Sequence, residues 1–236
     1  MDRSSLTRRK MLTSVGAAGL ASVGVLGFMT RRSIPYTKTV AVAGEDLEVD
    51  WRETYNGEVQ EDTRSSESTE DGAVIRLGNV LPGDVGTVSF RLRNPEDASS
   101  TVEPQLSLDL LGTAENEVVE PEKAAGDTSD GPDEGELQDF LDTKFWYDEG
   151  FANFEELGGD NATQDPGESL ITSDDGAEGT LAEVAGAVNG VSLDQLSPGD
   201  EVTVSFRWEF ADDSGVGVTQ TDSVNFAFIL DTSGGS

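Results

Sequence analysis

The chain of 236 residues carries 15 lysines and arginines against 47 aspartates and glutamates, a formal net charge of −32, and contains neither cysteine nor histidine. The missing cysteines exclude disulfides, and the missing histidines exclude imidazole metal sites and a Ser-His-Asp catalytic centre. The scarcity of basic residues argues against a nucleic-acid partner.

The charge is divided unevenly along the chain. Residues 1–40 hold seven of the 15 basic residues and one of the 47 acids, which leaves eight basic residues and 46 acids in the remainder, a net charge of −38 there. Such a body repels itself in dilute buffer, whereas at molar salt the Debye length is about 3 Å and most of the repulsion is screened. We therefore expect an exported protein of a halophile. A disordered acidic chain is the alternative, and ten phenylalanines and three tryptophans argue against it.

The N-terminal segment, residues 1–36, has the pattern of a twin-arginine export signal. Such signals place a Ser or Thr before two arginines, then one variable residue and hydrophobic residues. The matching residues are Thr7, Arg8, Arg9, Met11 and Leu12. The apolar run at 14–29 is shorter than the roughly 20 residues of a membrane span and suits a signal peptide. We predict that the twin-arginine translocase exports the chain to the cell surface or the extracellular medium.

The sequence is compatible both with cleavage of this segment and with its retention. Arg31 and Arg32 stand where a small-x-small cleavage site would follow the apolar run, and Ala41-Val42-Ala43 has the right form but lies further along. The segment is therefore either removed or retained as a membrane anchor.

The remainder, residues 37–236, reads as one domain of half-buried strands. The first run, 39–51, changes phase at Gly44, which predicts a bulge or bend there. Its apolar residues, which are also the candidates for strand exchange between subunits, are Val40, Val42, Leu47, Val49 and Trp51.

Four further runs alternate with the period of two that half-buried strands show. Their apolar residues are Val88, Phe90 and Leu92; Leu106, Leu108 and Leu110; Val202, Val204, Phe206, Trp208 and Phe210; and Val224, Phe226, Phe228 and Leu230. The turn sequence Pro-Gly-Asp occurs at 82–84 and again at 198–200, each time before a Thr-Val-Ser-Phe-Arg strand. The two copies are either independent turn-and-strand units or related strands of one sandwich.

Short helices are predicted at 136–141 and 181–188, and acidic surface loops or disordered inserts at 58–72, 114–136 and 158–180. The third acidic segment contains a glycosylation sequon at Asn161. Together the patterns predict an all-β fold: an antiparallel two-sheet, jelly-roll-like β-sandwich with long acidic loops and one or two short helices.

No catalytic constellation is present, and we expect no enzyme and no organic cofactor. Carboxylate clusters are the remaining candidates, because Ca²⁺ takes six to eight oxygen ligands from such loops. One cluster falls between Asp127 and Glu136, but the favoured candidate is the group Asp148, Glu149, Asn153 and Glu155. Solvated acidic surface is the alternative for both.

The order of short sequence blocks resembles the haloarchaeal branch of the TasA/camelysin-like family of exported surface proteins with SipW-type signals. The blocks that carry the resemblance are Leu47-Glu48-Val49-Asp50-Trp51, Tyr55-Asn56-Gly57, Leu81-Pro82-Gly83-Asp84, Gly131-Pro132-Asp133-Glu134-Gly135-Glu136-Leu137, Phe145-Trp146-Tyr147-Asp148, Gly179-Thr180-Leu181 and Gln220-Thr221-Asp222-Ser223-Val224-Asn225-Phe226.

The resemblance implies an exported jelly-roll sandwich. It also implies self-association into biofilm-matrix fibres, in which an N-terminal strand of one subunit completes the sheet of the next. Camelysin-type members are labelled metallo-endopeptidases, but this chain lacks the histidines that a zinc peptidase uses. Three hypotheses remain: a structural or interaction protein of the cell surface, a metallo-endopeptidase, and a surface module that binds cations or polymers.

Replacing both arginines of the signal, Arg8→Lys with Arg9→Lys, is expected to leave the protein in the cytoplasm, because the twin-arginine pathway requires the pair. The check is the ratio of exported to cytoplasmic protein on immunoblots, with Arg31→Lys and Arg32→Lys as the matched control. Export at the parental rate by the Arg8/Arg9 variant would assign the signal to another pathway.

Overall fold

The computed structural model describes residues 38–41, 47–59, 73–129, 131, 133–149, 162–211, 219 and 221–232. The chain separates into Met1–Arg32 and Ser33–Ser236, and every described residue belongs to the second unit. None of the helices in the described ranges is both long and apolar enough to cross a membrane. The export-signal residues Thr7 to Leu12 lie outside the described residues.

The described residues form strands with two short helices. The strands are β1 (Lys38–Ala41), β2 (Glu48–Tyr55), β3 (Glu58–Val59), β4 (Ala73–Gly78), β5 (Val85–Arg93), β6 (Gln105–Ala114), β7 (Leu141–Tyr147), β8 (Glu178–Thr180), β9 (Val191–Ser192), β10 (Glu201–Phe210) and β11 (Ser223–Asp231). The helices are α1 (Glu120–Ala125) and α2 (Leu181–Ala187), with 3₁₀ turns at Leu137–Asp139 and Asp175–Ala177.

The strands make two antiparallel sheets, which confirms the predicted all-β sandwich. The larger sheet has the order β1-β2-β5-β10-β7-β8, with β3 also paired to β2, and the smaller has the order β4-β11-β6-β9. The alternating runs predicted from the sequence form β5, β6, β10 and β11, and the predicted helix at 181–188 is α2.

Aromatic side chains between the sheets form the centre of the core. The ring of Phe228 on β11 lies 5.0 to 6.0 Å, centroid to centroid, from four rings on the larger sheet. These are the rings of Trp51 on β2, Phe90 on β5, Phe206 on β10 and Phe145 on β7. Most of the pairs meet edge to face, a geometry that adds about 0.5–1.5 kcal/mol per pair to the gain from burial.

The run at 39–51 is two strands rather than one bent strand. β1 pairs antiparallel with β2, with Val40 opposite Val49 and Ala41 opposite Glu48, so the chain reverses between them. The predicted bulge or bend at Gly44 falls within residues 42–46, which lie outside the described residues.

Both Pro-Gly-Asp turns are closed in the same way. Asp84 N–H donates to the Leu81 carbonyl and Asp200 N–H to the Ser197 carbonyl, each at 2.9 Å. In each turn the aspartate carboxylate accepts from the amide three residues earlier, again at 2.9 Å. The strands that follow, β5 and β10, are antiparallel neighbours in one sheet. The repeated sequence thus makes two turn-and-strand units that pair with each other in one sheet.

Three local predictions were wrong. The alternation of β6 was expected to bury Leu110, but Leu110 is 36% exposed because Leu111 is an extra residue opposite the Asn225–Phe226 step of β11. The helix predicted at 136–141 is only the 3₁₀ turn Leu137–Asp139, because β7 begins at Leu141. The acidic segment at 114–136, predicted as a loop, contains α1.

Gly86→Ala is expected to lower the free energy of unfolding by about 1–3 kcal/mol, the usual cost of overpacking a core. Gly86 faces Trp208 across the sheet, and an added Cβ would lie 2.4 Å from two atoms of the buried indole. Urea denaturation at constant salt measures the effect.

Gly186→Ala is the control, because this exposed position in α2 has no neighbouring atom within 4 Å of an added Cβ. It is expected to leave stability unchanged or raise it by about 0.5–1 kcal/mol. Equal effects of the two substitutions would contradict the packing of Trp208 against Gly86.

Candidate functional site

Two carboxylates meet where the smaller sheet ends. β6 finishes at Ala114 and β11 begins at Ser223, and these two residues are cross-strand partners. Glu115 and Asp222 are the next residues outward on the two strands, so the pairing of the strands brings them together. Glu115 is 7% exposed and Asp222 is 0% exposed.

Three further acids converge on the same place from the chain between β6 and β7. Glu122 lies in α1 and is fully buried, and Asp127 follows the left-handed Gly126 that ends that helix. Glu136 precedes the 3₁₀ turn Leu137–Asp139, and its backbone N–H donates to Asp222 Oδ2 at 2.6 Å. We call Glu115, Glu122, Asp127, Glu136 and Asp222 the carboxylate cluster.

The oxygens of the carboxylate cluster form two overlapping groups. Glu115, Glu122 and Asp127 make one group, and Glu115, Glu136 and Asp222 make the other. Within each group, one oxygen from every residue lies within 4.8 Å of the others. Glu115 belongs to both groups and is therefore the centre of the cluster.

One oxygen of each of four carboxylates is held by the protein. Glu115 Oε1 accepts from Thr221 Oγ1 at 2.9 Å, and Asp127 Oδ1 accepts from the Ser129 amide at 2.9 Å. Glu136 Oε1 accepts from the hydroxyl of the same Ser129 at 3.2 Å. The second oxygen of each of these side chains, and of Asp222, is buried and has no hydrogen-bond partner.

Glu122 has a different role within the cluster. Its Oε2 accepts from the Val119 amide at 2.7 Å and its Oε1 from the Thr221 amide at 3.1 Å. Glu122 thereby fixes the start of α1 to the residue before Asp222, and it has no oxygen left over.

Burial and mutual repulsion shift the pKa values of the acids in the cluster. Burial, together with repulsion from Glu115 and Glu136, raises the pKa of Asp222 to about 8. Burial and the charge of Asp127 raise the pKa of Glu136, whereas the hydrogen bonds from Ser129 lower the pKa of Asp127. Among the described residues, no lysine or arginine forms an ion pair with any member of the cluster.

A glycine permits the close approach that places Glu136. A Cβ at Gly135 would lie 2.7 Å from the backbone carbonyl carbon and oxygen of Ala114. Backbone cannot move aside as a flexible side chain can, so only glycine fits between the end of β6 and Glu136.

The structure describes only two of the four metal ligands favoured by the sequence. These four candidates were Asp148, Glu149, Asn153 and Glu155. Asp148 is 1% exposed, and its Oδ2 accepts from Ser205 Oγ at 2.6 Å and from the Ala162 amide at 2.8 Å. Glu149 is exposed. Asn153 and Glu155 lie outside the described residues, as does the sequon Asn161, so these predictions stay untested.

Asp148 belongs to a buried polar chain that crosses the larger sheet. Arg52 Nη2 donates to Ser89 Oγ at 2.9 Å, and the Ser89 and Ser205 hydroxyls are 2.7 Å apart. The chain therefore runs from β2 through β5 and β10 to Asp148, which acts as its terminal acceptor.

The candidates for strand exchange lie at one edge of the larger sheet. Leu47, Val49 and Trp51 are buried in the sandwich core. Val40 lies in β1 opposite Val49, and Val42 lies outside the described residues.

Comparisons with protein families, with curated proteins and with solved structures find no match for this chain.

Asp148→Ala is expected to lower the free energy of unfolding by about 1–3 kcal/mol, because it leaves the Ser205 hydroxyl and the Ala162 amide without their buried acceptor. The loss should be the same with Ca²⁺ and with a chelator in urea denaturation at constant salt. Glu149→Ala, at an exposed neighbour, should change stability by less than about 0.5 kcal/mol. A loss for both variants that occurs only with Ca²⁺ would instead make these two residues metal ligands.

Proposed function

We propose that this chain is an exported structural or interaction protein of the cell surface, whose sandwiches associate by exchanging β1 across the edge of β2. The export signal predicted in residues 1–36 supplies the location. The observation that carries the proposal is the placement of β1: a short strand at the N-terminal side of the sandwich completes the edge of the larger sheet.

The pairing of β1 with β2 is short and could be made equally well by another copy of the chain. Four residues, Lys38–Ala41, pair with Glu48–Trp51, and β3 covers only Thr54 and Tyr55 further along the same edge. Removing β1 would leave the outer edge of β2 unpaired from Glu48 to Trp51, while the other edge of β2 stays paired with β5. An unpaired edge accepts a strand from a neighbouring molecule, and strand addition of this kind is a general mode of assembly.

The link between β1 and β2 limits the geometry of exchange. Six residues, 42–47, join the strands, and a chain of that length reaches about 20–22 Å when extended. β1 could therefore pair with a neighbour only when the two sandwiches lie directly side by side. This favours a regular, repeating assembly over loose clustering.

The charge along this edge is lower than that of the body as a whole. Arg91 pairs with Asp50, and Arg93 Nη1 lies 3.0 Å from Glu48 Oε2 and Nη2 lies 3.6 Å from Asp50. Two of the few basic residues of an acidic chain thus offset the acids of β2 where β1 binds. A neighbouring copy would meet less repulsion here, and molar salt would screen the remainder.

The metallo-endopeptidase hypothesis receives little support. The chain has no histidine, and the carboxylate cluster offers only oxygen ligands, whereas zinc peptidases bind the metal through histidine and a carboxylate.

A pair of cysteines tests the exchange directly, because the chain contains none of its own. Val40→Cys with Val49→Cys places thiols at directly opposed positions, where antiparallel Cα atoms lie about 4.5–5.5 Å apart and a disulfide can form. Oxidation at molar salt is expected to give a ladder of covalent multimers on a non-reducing gel. Light scattering and electron microscopy of the parent protein should show filaments under the same conditions.

Each single cysteine variant is the control, since Val40→Cys or Val49→Cys alone can give dimers at most. A double variant that closes only within one chain, together with monomeric parent protein at molar salt, would overturn the proposal. Deletion of 37–51 would be a poorer test, because it also removes Val49 and Trp51 from the core.

A further inference from the structure

We propose that the carboxylate cluster is a Ca²⁺ site with Glu115, Glu136 and Asp222 as its ligands. Asp127 lies beside these ligands, and Glu122 holds the surrounding backbone in place through the Val119 and Thr221 amides. This site is independent of β1 and of the strand exchange proposed above.

Several carboxylate oxygens of the cluster are buried without a hydrogen-bond partner. Glu115 Oε2, Glu136 Oε2 and Asp222 Oδ1 are all buried, and each lacks a hydrogen-bond partner. Buried polar atoms are otherwise nearly always paired, and an unpaired carboxylate oxygen is especially costly. Here the free oxygens belong to neighbouring acids, two of which are more than nine-tenths buried. A cation between these neighbouring carboxylates would partner the free oxygens and relieve the repulsion between the acids.

Hydrogen bonds from the protein hold the other oxygen of these carboxylates in place. The Glu136 amide fixes Asp222 Oδ2 and Thr221 Oγ1 fixes Glu115 Oε1, so the unpaired oxygens cannot simply rotate towards solvent without losing these bonds. Thr221 is itself fixed through its amide to Glu122 Oε1. The arrangement is that of ligands oriented by surrounding hydrogen bonds, which is how proteins position metal-binding groups.

The described residues supply the cluster with no positive counter-charge. Surface acids are common in this chain and need no partner, but burying several in one place costs far more than leaving them in water. No described lysine or arginine pairs with the cluster. Lys123 is the basic residue of α1, and it pairs with Glu120.

The donor set and the spacing indicate the class of ion. Every ligand is a carboxylate oxygen, and hard cations such as Ca²⁺ prefer oxygen. Two ligands of one Ca²⁺ at 2.3–2.6 Å lie at most about 5 Å apart, and the oxygens of each group fall within 4.8 Å of one another. Mg²⁺ requires a near-ideal octahedron of closer ligands. Three separate chain segments are less suited to provide so strict a geometry. Ca²⁺ is therefore the expected occupant.

Ion binding would join three parts of the chain: the end of β6, the segment before the Leu137–Asp139 turn, and the start of β11. Because an ion that binds only the folded state stabilises it by mass action, Ca²⁺ at 100 times its Kd is expected to raise Tm by about 5–10 °C.

The experiment uses the full chain, stripped with a chelator and kept in molar NaCl. Thermal unfolding is followed by circular dichroism with chelator, with millimolar CaCl₂ and with millimolar MgCl₂, and calorimetric titration with CaCl₂ gives the stoichiometry. We expect a rise in Tm with CaCl₂, a smaller rise with MgCl₂, and at least one Ca²⁺ bound per chain.

Asp222→Asn is the decisive variant, because its amide oxygen can still accept from the Glu136 amide while its charge is gone. It should lose the Ca²⁺-dependent rise in Tm, whereas in chelator it should remain folded with a Tm close to that of the parent. Asp109→Asn, an exposed acid of β6, is the matched control and should keep the full rise.

Equal Ca²⁺ responses in Asp222→Asn and Asp109→Asn would show general charge screening and overturn the site. A parent protein without calorimetric Ca²⁺ binding would overturn it even if Asp222→Asn failed to fold. Equal shifts with the two ions would overturn the assignment to Ca²⁺.

Discussion

The contact of Phe228 with the aromatic residues of the larger sheet is the constraint on which the rest of this structure depends. One side chain of β11 touches rings from four strands, so it fixes how the two sheets face each other. A chain with this much negative charge gains little from its surface, and its stability must come from burial of apolar groups such as these. The position of β11 then determines where its first residues, and the acids beside them, are held.

The edge of β2 and the carboxylate cluster differ in their local charge. At the edge of β2, arginines offset the acids and the charge is locally low, which suits contact between copies. In the carboxylate cluster, acids accumulate without a basic partner among the described residues, which suits a cation. An excess of carboxylates is thus avoided where protein is expected to meet protein, and concentrated where an ion is expected to bind.

Much of the fold could be predicted from the sequence, because apolar alternation is a local signal. It identified β5, β6, β10 and β11, and failed at Leu110, where a bulge interrupts the period. The carboxylate cluster could not be found in this way. Thr221 and Glu115 are 106 positions apart and meet only because β6 pairs with β11. Among 47 acids no local spacing separates these five from the solvated ones; only burial and unpaired oxygens do.

The paired Pro-Gly-Asp turns have a consequence for how the sandwich opens. The turn before β5 exchanges backbone hydrogen bonds with Phe210 at the end of β10, and the turn before β10 does the same with Asn94 just after β5. At each end of the β5–β10 pairing, the turn that precedes one strand is therefore hydrogen-bonded to the end of the other strand. Fraying from either end must break these turn hydrogen bonds as well as those between the strands. These two strands should form the slowest-exchanging unit of the molecule, the one whose amides are protected up to global unfolding.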